Sequence, residues 1–287
     1  MAIIPFIINV TTTNLRRLKS TFTNPNKKIN LNWFKLKYYK HLTPGKITKH
    51  ILFGKRLYFS HSIELVNALK EIFIHDVYKQ QLRDHPFIID CGANIGLSII
   101  SMKRQYPDAE IIAYEPDEKN FELLTRNMNS FGYENVLLRK EAVWADNKTL
   151  RFSNEGLMSS KIETGNANNT IEIKAIKLKD ILDREIDFIK MDIEGAEYTV
   201  LKDIADKLHL VKNLFLEYHG TFAQNGELAE IILLIHKAGF NFYIKEAANL
   251  FDYPFYRIKK STISYDVQLN IFCFRNNETF KTKIINS

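Results

Sequence analysis

Only two cysteines stand among the 287 residues, Cys91 and Cys273, which excludes a disulfide framework; they also lack the spacing of metal ligands. A chain so poor in thiols fits a reducing compartment, and a cytoplasmic location is expected. No run of about 18 apolar residues occurs, which excludes a membrane-spanning helix. The apolar opening MAIIPFIINV is short, carries Pro5, and lacks a basic leader region and a small-residue cleavage site. It does not read as a signal peptide. No internal repeat is visible. Acidic residues are missing altogether from positions 1–63, which hold 12 Lys or Arg, whereas the remainder holds 28 basic and 33 acidic residues. The net charge of +7 therefore hides a +12 block and a −5 remainder. Such a block either attracts polyanions, among them anionic headgroups, nucleic acid and acidic substrates, or is the solvated surface of a chain rich in Lys, Asn and Ile.

What is present is ordinary globular composition, 45% hydrophobic and 25% charged, in a length that supports one large α/β domain with an extension. Residues 1–85 read as the basic N-terminal extension. It has an aromatic patch at Trp33, Phe34, Leu36, Tyr38 and Tyr39, a hairpin His50–Phe59 centred on Gly54, and a Ser-capped helix Ser62–Lys79. From residue 86 to 287 strands alternate with helices. Strands are expected at Phe87–Asp90, Glu110–Tyr114, Val136–Val143, Asp187–Met191 and Asn213–Tyr218. Helices are expected at Gly96–Gln105, Asp117–Ser130, Ala196–Lys207 and Glu227–Ala238. Thr149–Phe152 and Thr170–Ile176 read as a hairpin around the polar segment Ser153–Asn169. Phe240–Lys245 and Asp266–Phe274 lack a helix between them and read as an antiparallel closing hairpin. The expected architecture is a doubly wound, mostly parallel sheet of seven strands.

Ligands of such sheets bind beyond the carboxyl ends of the strands. The turn after the first strand is Asp90-Cys-Gly92-Ala-Asn94-Ile-Gly96, where Gly92 permits close backbone approach and Gly96 close packing of the helix start. This is not the G-x-G-x-x-G spacing that cradles a pyrophosphate. Asp90 would repel a pyrophosphate but suits the ammonium and sulfonium end of a cationic cofactor. Glu115, ending the second strand, is placed to accept from a ribose diol. Ala142, Val143 and Trp144 follow the third strand near where an adenine sits in such folds; Trp144 reads equally as a core residue.

The fourth strand runs into Asp192-Ile-Glu194-Gly195-Ala-Glu197 and the fifth into Glu217-Tyr218-His219, so neighbouring strand ends bring Asp192, Glu194, Glu217 and His219 to one rim. A hydroxyl acceptor must lose a proton, and His219 or a carboxylate raised by its neighbours would take it. A divalent metal on Asp192, Glu217 and His219 is the alternative, but nothing in the spacing demands it. Glu194 also suits a helix N-terminal acid, and Glu197 a structural partner within the helix.

The segments LKEIFIHDVY (69–78), IIDCGANIG (88–96), AYEPD (113–117), FIKMDIEGAEYTVL (188–201) and FLEYH (215–219) together resemble the FkbM family of methyltransferases over roughly residues 60–275. The resemblance implies a class I (Rossmann-like) methyltransferase fold. It also implies methyl transfer from S-adenosylmethionine, leaving S-adenosylhomocysteine, to an oxygen, typically a hydroxyl of a sugar, glycan or natural product. By that resemblance Asp90, Gly92, Asn94, Gly96, Glu115 and Ala142 line the cofactor, while Asp192, Glu194, Glu217 and His219 face the acceptor. Polysaccharide assembly is a frequent setting of the family, and the first fifty residues match none of its motifs.

A nucleic-acid methyltransferase is the rival that the basic extension favours. Asp192-Ile-Glu194-Gly195 departs from the Asn/Asp-Pro-Pro-aromatic pattern of base-amine enzymes and adds negative charge where phosphates would approach. A nicotinamide enzyme fails on glycine spacing and on Asp90. The expected partners are a small-molecule or glycan acceptor and, through the basic aromatic extension, an anionic membrane at its inner face; self-association suits the same patch.

Overall fold

The structure, a computed structural model, describes residues 25–153, 170–259 and 264–275. The chain divides into two compact units between Lys79 and Gln80. In the first unit the aromatic patch is a short helix, α1 (Trp33–Tyr39), whose cap Asn32 accepts from the Lys35 N–H. Strands β1 (Thr48–Leu52) and β2 (Lys55–Phe59) form the expected hairpin. Its two-residue turn, Phe53-Gly54, is left-handed at both positions (φ 50° and 79°), the geometry that matches strand twist in a tight hairpin. Alternation puts His50, Leu52, Leu57 and Phe59 inside. His50 donates from Nε2 to the Ile29 carbonyl (2.8 Å) and accepts at Nδ1 from the Tyr39 hydroxyl (2.8 Å), so the buried imidazole is satisfied in one tautomer. Helix α2 covers Ser62–Phe73, stopping six residues short of the expected Lys79. Ser62 is its first residue rather than its cap, and its hydroxyl donates to the Tyr39 carbonyl instead.

The second unit alternates β3 (Phe87–Cys91), α3 (Leu97–Gln105), β4 (Glu110–Tyr114), α4 (Glu118–Phe131) and β5 (Leu137–Arg139). After a side excursion come β9 (Ile186–Met191), α5 (Glu197–Asp203), β10 (Val211–Gly220), α6 (Asn225–Lys237), β11 (Asn241–Glu246) and β12 (Val267–Phe274). The sheet order is β11-β12-β10-β9-β3-β4-β5, parallel except for β12, which lies antiparallel between β10 and β11. This is the seven-stranded, doubly wound sheet with an antiparallel closing pair that the sequence predicts. Every residue of β3 and β9 is buried, so the sheet centre is covered on both faces, which is why these strands read as largely apolar rather than alternating. Asp117 caps α4 by accepting from the Asn120 N–H, and Gly132 ends it in a left-handed conformation.

Two expectations need correction. The single strand expected at Val136–Val143 is split. Its first half is β5 at the edge of the large sheet, and β6 (Ala142–Trp144) joins a separate sheet of order β6-β8-β7 with β7 (Lys148–Ser153) and β8 (Thr170–Lys177). The buried Glu141 at the break is drawn to Arg139 on one side and to Lys174 of β8 on the other, which ties the crossing to the second sheet. The expected helix Ala196–Lys207 is α5 followed by a 3-10 segment, Ala205–Leu210. The β7–β8 hairpin is present, but nearly all of the polar segment between its strands lies outside the described residues.

At the foot of the sheet, buried Asp187 accepts from the Phe87 N–H (2.9 Å) and meets Arg83 (2.7 Å) and Lys212 (3.2 Å), joining the starts of β9 and β3. Removing that carboxylate orphans a buried N–H, so Asp187→Ala is expected to lose about 1–3 kcal/mol in urea unfolding. An unchanged midpoint would show that the link carries no stability.

Candidate active site

The turn leaving β3 is wound by three left-handed residues, Gly92 (φ 86°), Asn94 (φ 49°) and Gly96 (φ 90°). A side chain at Gly92 is impossible, since a Cβ there would stand 1.9 Å from the Asp192 carbonyl oxygen. Four of the turn's N–H groups are already used. Those of Gly92 and Ala93 donate to the Tyr114 carbonyl (3.0 and 2.9 Å), that of Gly96 to the Ala93 carbonyl (2.8 Å), and that of Asn94 to Glu115 Oε2 (2.7 Å). With those four donors committed internally, the turn itself has few left to wrap a pyrophosphate, in line with its glycine spacing.

Glu115 is buried at the end of β4, and its other oxygen accepts from the Asp117 N–H (2.9 Å). Burial pushes its carboxyl up to about 7, against the pull of those two N–H groups. A carboxylate has about four acceptor positions, so two remain for a ribose diol. Asp90 is fully buried and accepts from the Ser98 hydroxyl. Its second oxygen has no hydrogen-bond partner and lies 3.4 Å from the Lys190 ammonium.

Lys190 is the residue that sequence reasoning missed. It lies beside Asp90 across the β3–β9 pairing, is almost wholly buried, donates to the Gly92 carbonyl, and stands 3.3 Å from Asp192. One ammonium thus holds two carboxylates and a backbone oxygen at the junction of the two strand ends. The signal was available: Lys is seldom buried unpaired, and here it interrupts the apolar run Asp187–Met191.

The rim beside this junction brings together Asp192, Glu194, Glu217 and His219, with Glu197 and two partners not anticipated from the sequence, Gln268 and Tyr265. Glu197, the first residue of α5, is fully buried; it accepts from the Gly195 N–H (2.9 Å) and the Ile193 N–H (3.2 Å), and lies 3.1 Å from His219 Nδ1. The Nε2 edge of His219 points toward Glu217 (3.6 Å) and Glu194 (3.8 Å), with the Gln268 amide nitrogen at 3.1 Å. Gln268 also donates to Glu217 at 2.8 Å. Tyr265 lies against the His219 ring, centroids 5.0 Å apart, and donates to the Glu194 carbonyl (2.9 Å), bracing a residue held at φ 56°.

Charges then divide unequally. Burial opposes a charged His219, but Glu197 above all, then Glu194 and Asp192, outweigh it and push the imidazole up to about 10. Glu194 is raised as well, up to about 7, through desolvation and then the repulsion of Asp192 and Glu197, with His219 opposing. His219, expected as a base of ordinary pKa, is held protonated near neutrality, and Glu194 becomes the group poised to exchange a proton. Its side chain remains 43% exposed, open to an incoming acceptor.

Among the described residues, ligand atoms of Asp192, Glu194 and His219 lie within 4.8 Å of one another, close enough to hold a divalent ion; Glu194 takes the place that the sequence grouping gave to Glu217. Ala142 is not brought to the glycine turn by any contact described. It is buried in the apolar cluster of the small sheet with Leu150 and Ala175, and Trp144 packs against that cluster. Cys91 and Cys273 are buried and free.

Residues 90–242 match the family described as Methyltransferase FkbM domain. Methyltransferase sdnD of Sordaria araneosa is 30% identical over 228 residues, which cover 64% of this chain and 85% of that protein. Methyltransferase 1 of Beauveria bassiana (strain ARSEF 2860) is 27% identical over 199 residues, covering 60% and 79%. Among solved structures, methyltransferase FkbM from Methylobacillus flagellatus KT aligns with a TM-score of 0.45 at 18% identity over 67% of this chain, and this chain spans 44% of its length.

The Gly92–Asp192 approach makes a sharp test. Gly92→Ala is expected to abolish the rise in melting temperature that S-adenosylhomocysteine gives the wild type, because the turn must move away from Asp192 to admit the methyl group. Retention of that rise would mean that the turn does not form the cofactor site.

Proposed function

The chain belongs to the FkbM family of methyltransferases, and from that premise we propose that it transfers a methyl group from S-adenosylmethionine to a hydroxyl oxygen of a sugar, glycan or natural product. The residues suit this cofactor on three observations. Glu115 keeps acceptor positions for a ribose diol; the N–H groups of Gly92, Ala93, Asn94 and Gly96 are spent within the turn, which disfavours a pyrophosphate; and the buried Asp90 oxygen lacks a hydrogen-bond partner. When bound, the cofactor supplies an electrophilic methyl on a sulfonium.

The observation that carries transfer to oxygen is the pairing of Glu194 with His219. A hydroxyl is a weak nucleophile until its proton leaves, and Glu194, near neutrality and open to solvent, is suited to take it. His219, fixed through Nδ1 by Glu197, presents its Nε2 edge to the same carboxylate and holds a positive charge beside it. Asp192 and Glu217 flank the space where the acceptor's other hydroxyls would donate. The reading needs no metal, because the charge that an ion would bring is carried by the imidazolium.

The pH dependence follows from which form works. Glu194 acts as a base only when unprotonated, so kcat at saturating cofactor is expected to climb as pH rises through about 7 and to fall beyond about 10, where His219 loses its charge. Saturation matters because Glu115 titrates near 7 as well and would enter the profile through cofactor affinity. Glu194→Gln should remove the acid limb and lower kcat by about 10²–10⁴-fold while S-adenosylhomocysteine still binds. A profile that stays flat across neutral pH, or a Gln variant of normal rate, would refute Glu194 as the base.

A chelator separates the two ways of handling the hydroxyl. EDTA treatment is expected to leave the rate unchanged; loss of activity restored by magnesium or manganese would reassign Asp192, Glu194 and His219 as metal ligands.

A further inference from the structure

Helix α1 turns the wrong residues to water. Around its axis Lys35, Leu36 and Tyr39 face the interior of the first unit, while Trp33, Phe34, Lys37 and Tyr38 face out. The three outward rings are 64%, 75% and 57% exposed, a large aromatic area for a seven-residue helix to leave in solvent. The inward anchors Leu31, Tyr39 and Phe59 already fix the helix, so its own packing does not require these rings. Lys37 and Lys40 stand among them, and the outward face of the hairpin repeats the mixture, with Lys49 opposite Tyr58 and Ile51 opposite Arg56. Ile47 and Ile63 are exposed as well.

We infer that this face of the N-terminal unit, centred on Trp33, Phe34, Lys37, Tyr38 and Lys40, is a docking surface for an anionic lipid bilayer. Charge complementarity is the first argument, since positions 1–63 contain 12 cations and no carboxylate, and juxtaposed lysines gain about a fivefold affinity each from anionic headgroups. The chemistry of the apolar groups is the second. Tryptophan and tyrosine rings with aliphatic neighbours settle at the headgroup level, where ring edges meet water and ring bodies meet acyl chains. Nucleic acid fits the same charge less well. Stacking of bases needs free ring faces, whereas Trp33 has the Lys37 ammonium over its face (5.3 Å) and Phe34 packed edge-on at 5.1 Å. Exposed isoleucines add nothing to base stacking but insert readily into lipid. The inference is independent of the acceptor assigned above.

The test sediments the full chain with vesicles of phosphatidylcholine alone and of phosphatidylcholine with phosphatidylglycerol, at low and high salt. Binding is expected only with the anionic vesicles and should weaken with salt. The double variant Lys37→Gln/Lys40→Gln should weaken it by about 25-fold, taking a fivefold loss for each lysine. Trp33→Ala/Phe34→Ala should weaken it by about tenfold or more and make the remainder more salt-sensitive. An unaltered melting-temperature rise with S-adenosylhomocysteine shows that each variant is folded. Equal sedimentation with neutral and anionic vesicles, no sedimentation, or unchanged binding by the folded Trp33/Phe34 variant would overturn the proposal. So would binding to a single-stranded RNA oligonucleotide that the same substitutions abolish while vesicle binding persists.

Discussion

Two parallel strands end so close together that the α-carbon of Gly92 lies against the carbonyl of Asp192, and a buried ammonium fills the space beside them. Nearly everything at the site depends on this junction. Lys190 could not be buried without the carboxylates of Asp90 and Asp192, nor could those carboxylates sit so close without it, because unpaired charges in a dry interior are costly. Gly92 makes the approach sterically possible and Lys190 makes it electrostatically tolerable. The turn that follows commits the N–H groups of Gly92, Ala93, Asn94 and Gly96 to Tyr114, Glu115 and Ala93.

The rim works by the same economy of charge on the next pair of strands. Four carboxylates gather around one imidazole, and they are not equivalent. Glu197 is fully buried, accepts from backbone N–H groups, and lies on Nδ1, a contact that favours the charged form of His219, while Glu194 is pushed up chiefly by its own desolvation. A histidine that looks like a base in isolation becomes a fixed positive charge, and a glutamate that looks like a helix-start acid becomes the titrating group. The strained φ of Glu194 is braced by Tyr265, while the N–H groups of Ile193 and Gly195 on either side of it are taken by Glu197.

Much of this was readable from the chain. Largely apolar runs at Phe87–Cys91 and Ile186–Met191 announce central parallel strands because both faces are covered, and Asp117 with Gly132 brackets α4 through local capping. Spacing also brought Asp192, Glu194, Glu217 and His219 to one rim, since neighbouring parallel strands end together. The break at Lys140–Glu141 was hard to read because apolar residues flank Arg139-Lys140-Glu141 on both sides, and the pull of Lys174 from a strand about thirty residues away is what carries the second half into another sheet. Gln268 and Tyr265 escaped for a like reason: they reach His219 from the closing strand and the segment before it, far along the chain.

By itself the sequence determined the strand order's ingredients, the glycine turn, the acids that follow strands two, four and five, and the one-sided charge of the first 63 residues. These depend on local sterics, on periodicity and on composition, which act within a few residues. The tertiary structure alone decided that a lysine neutralises the turn, that Glu197 rather than Glu194 holds the histidine, that Ala142 packs into a second small sheet, and that α1 faces its aromatic side outward. Each of these is a matter of which charges and surfaces meet across long stretches of chain, and the free energy of a charge is set by its neighbours in space.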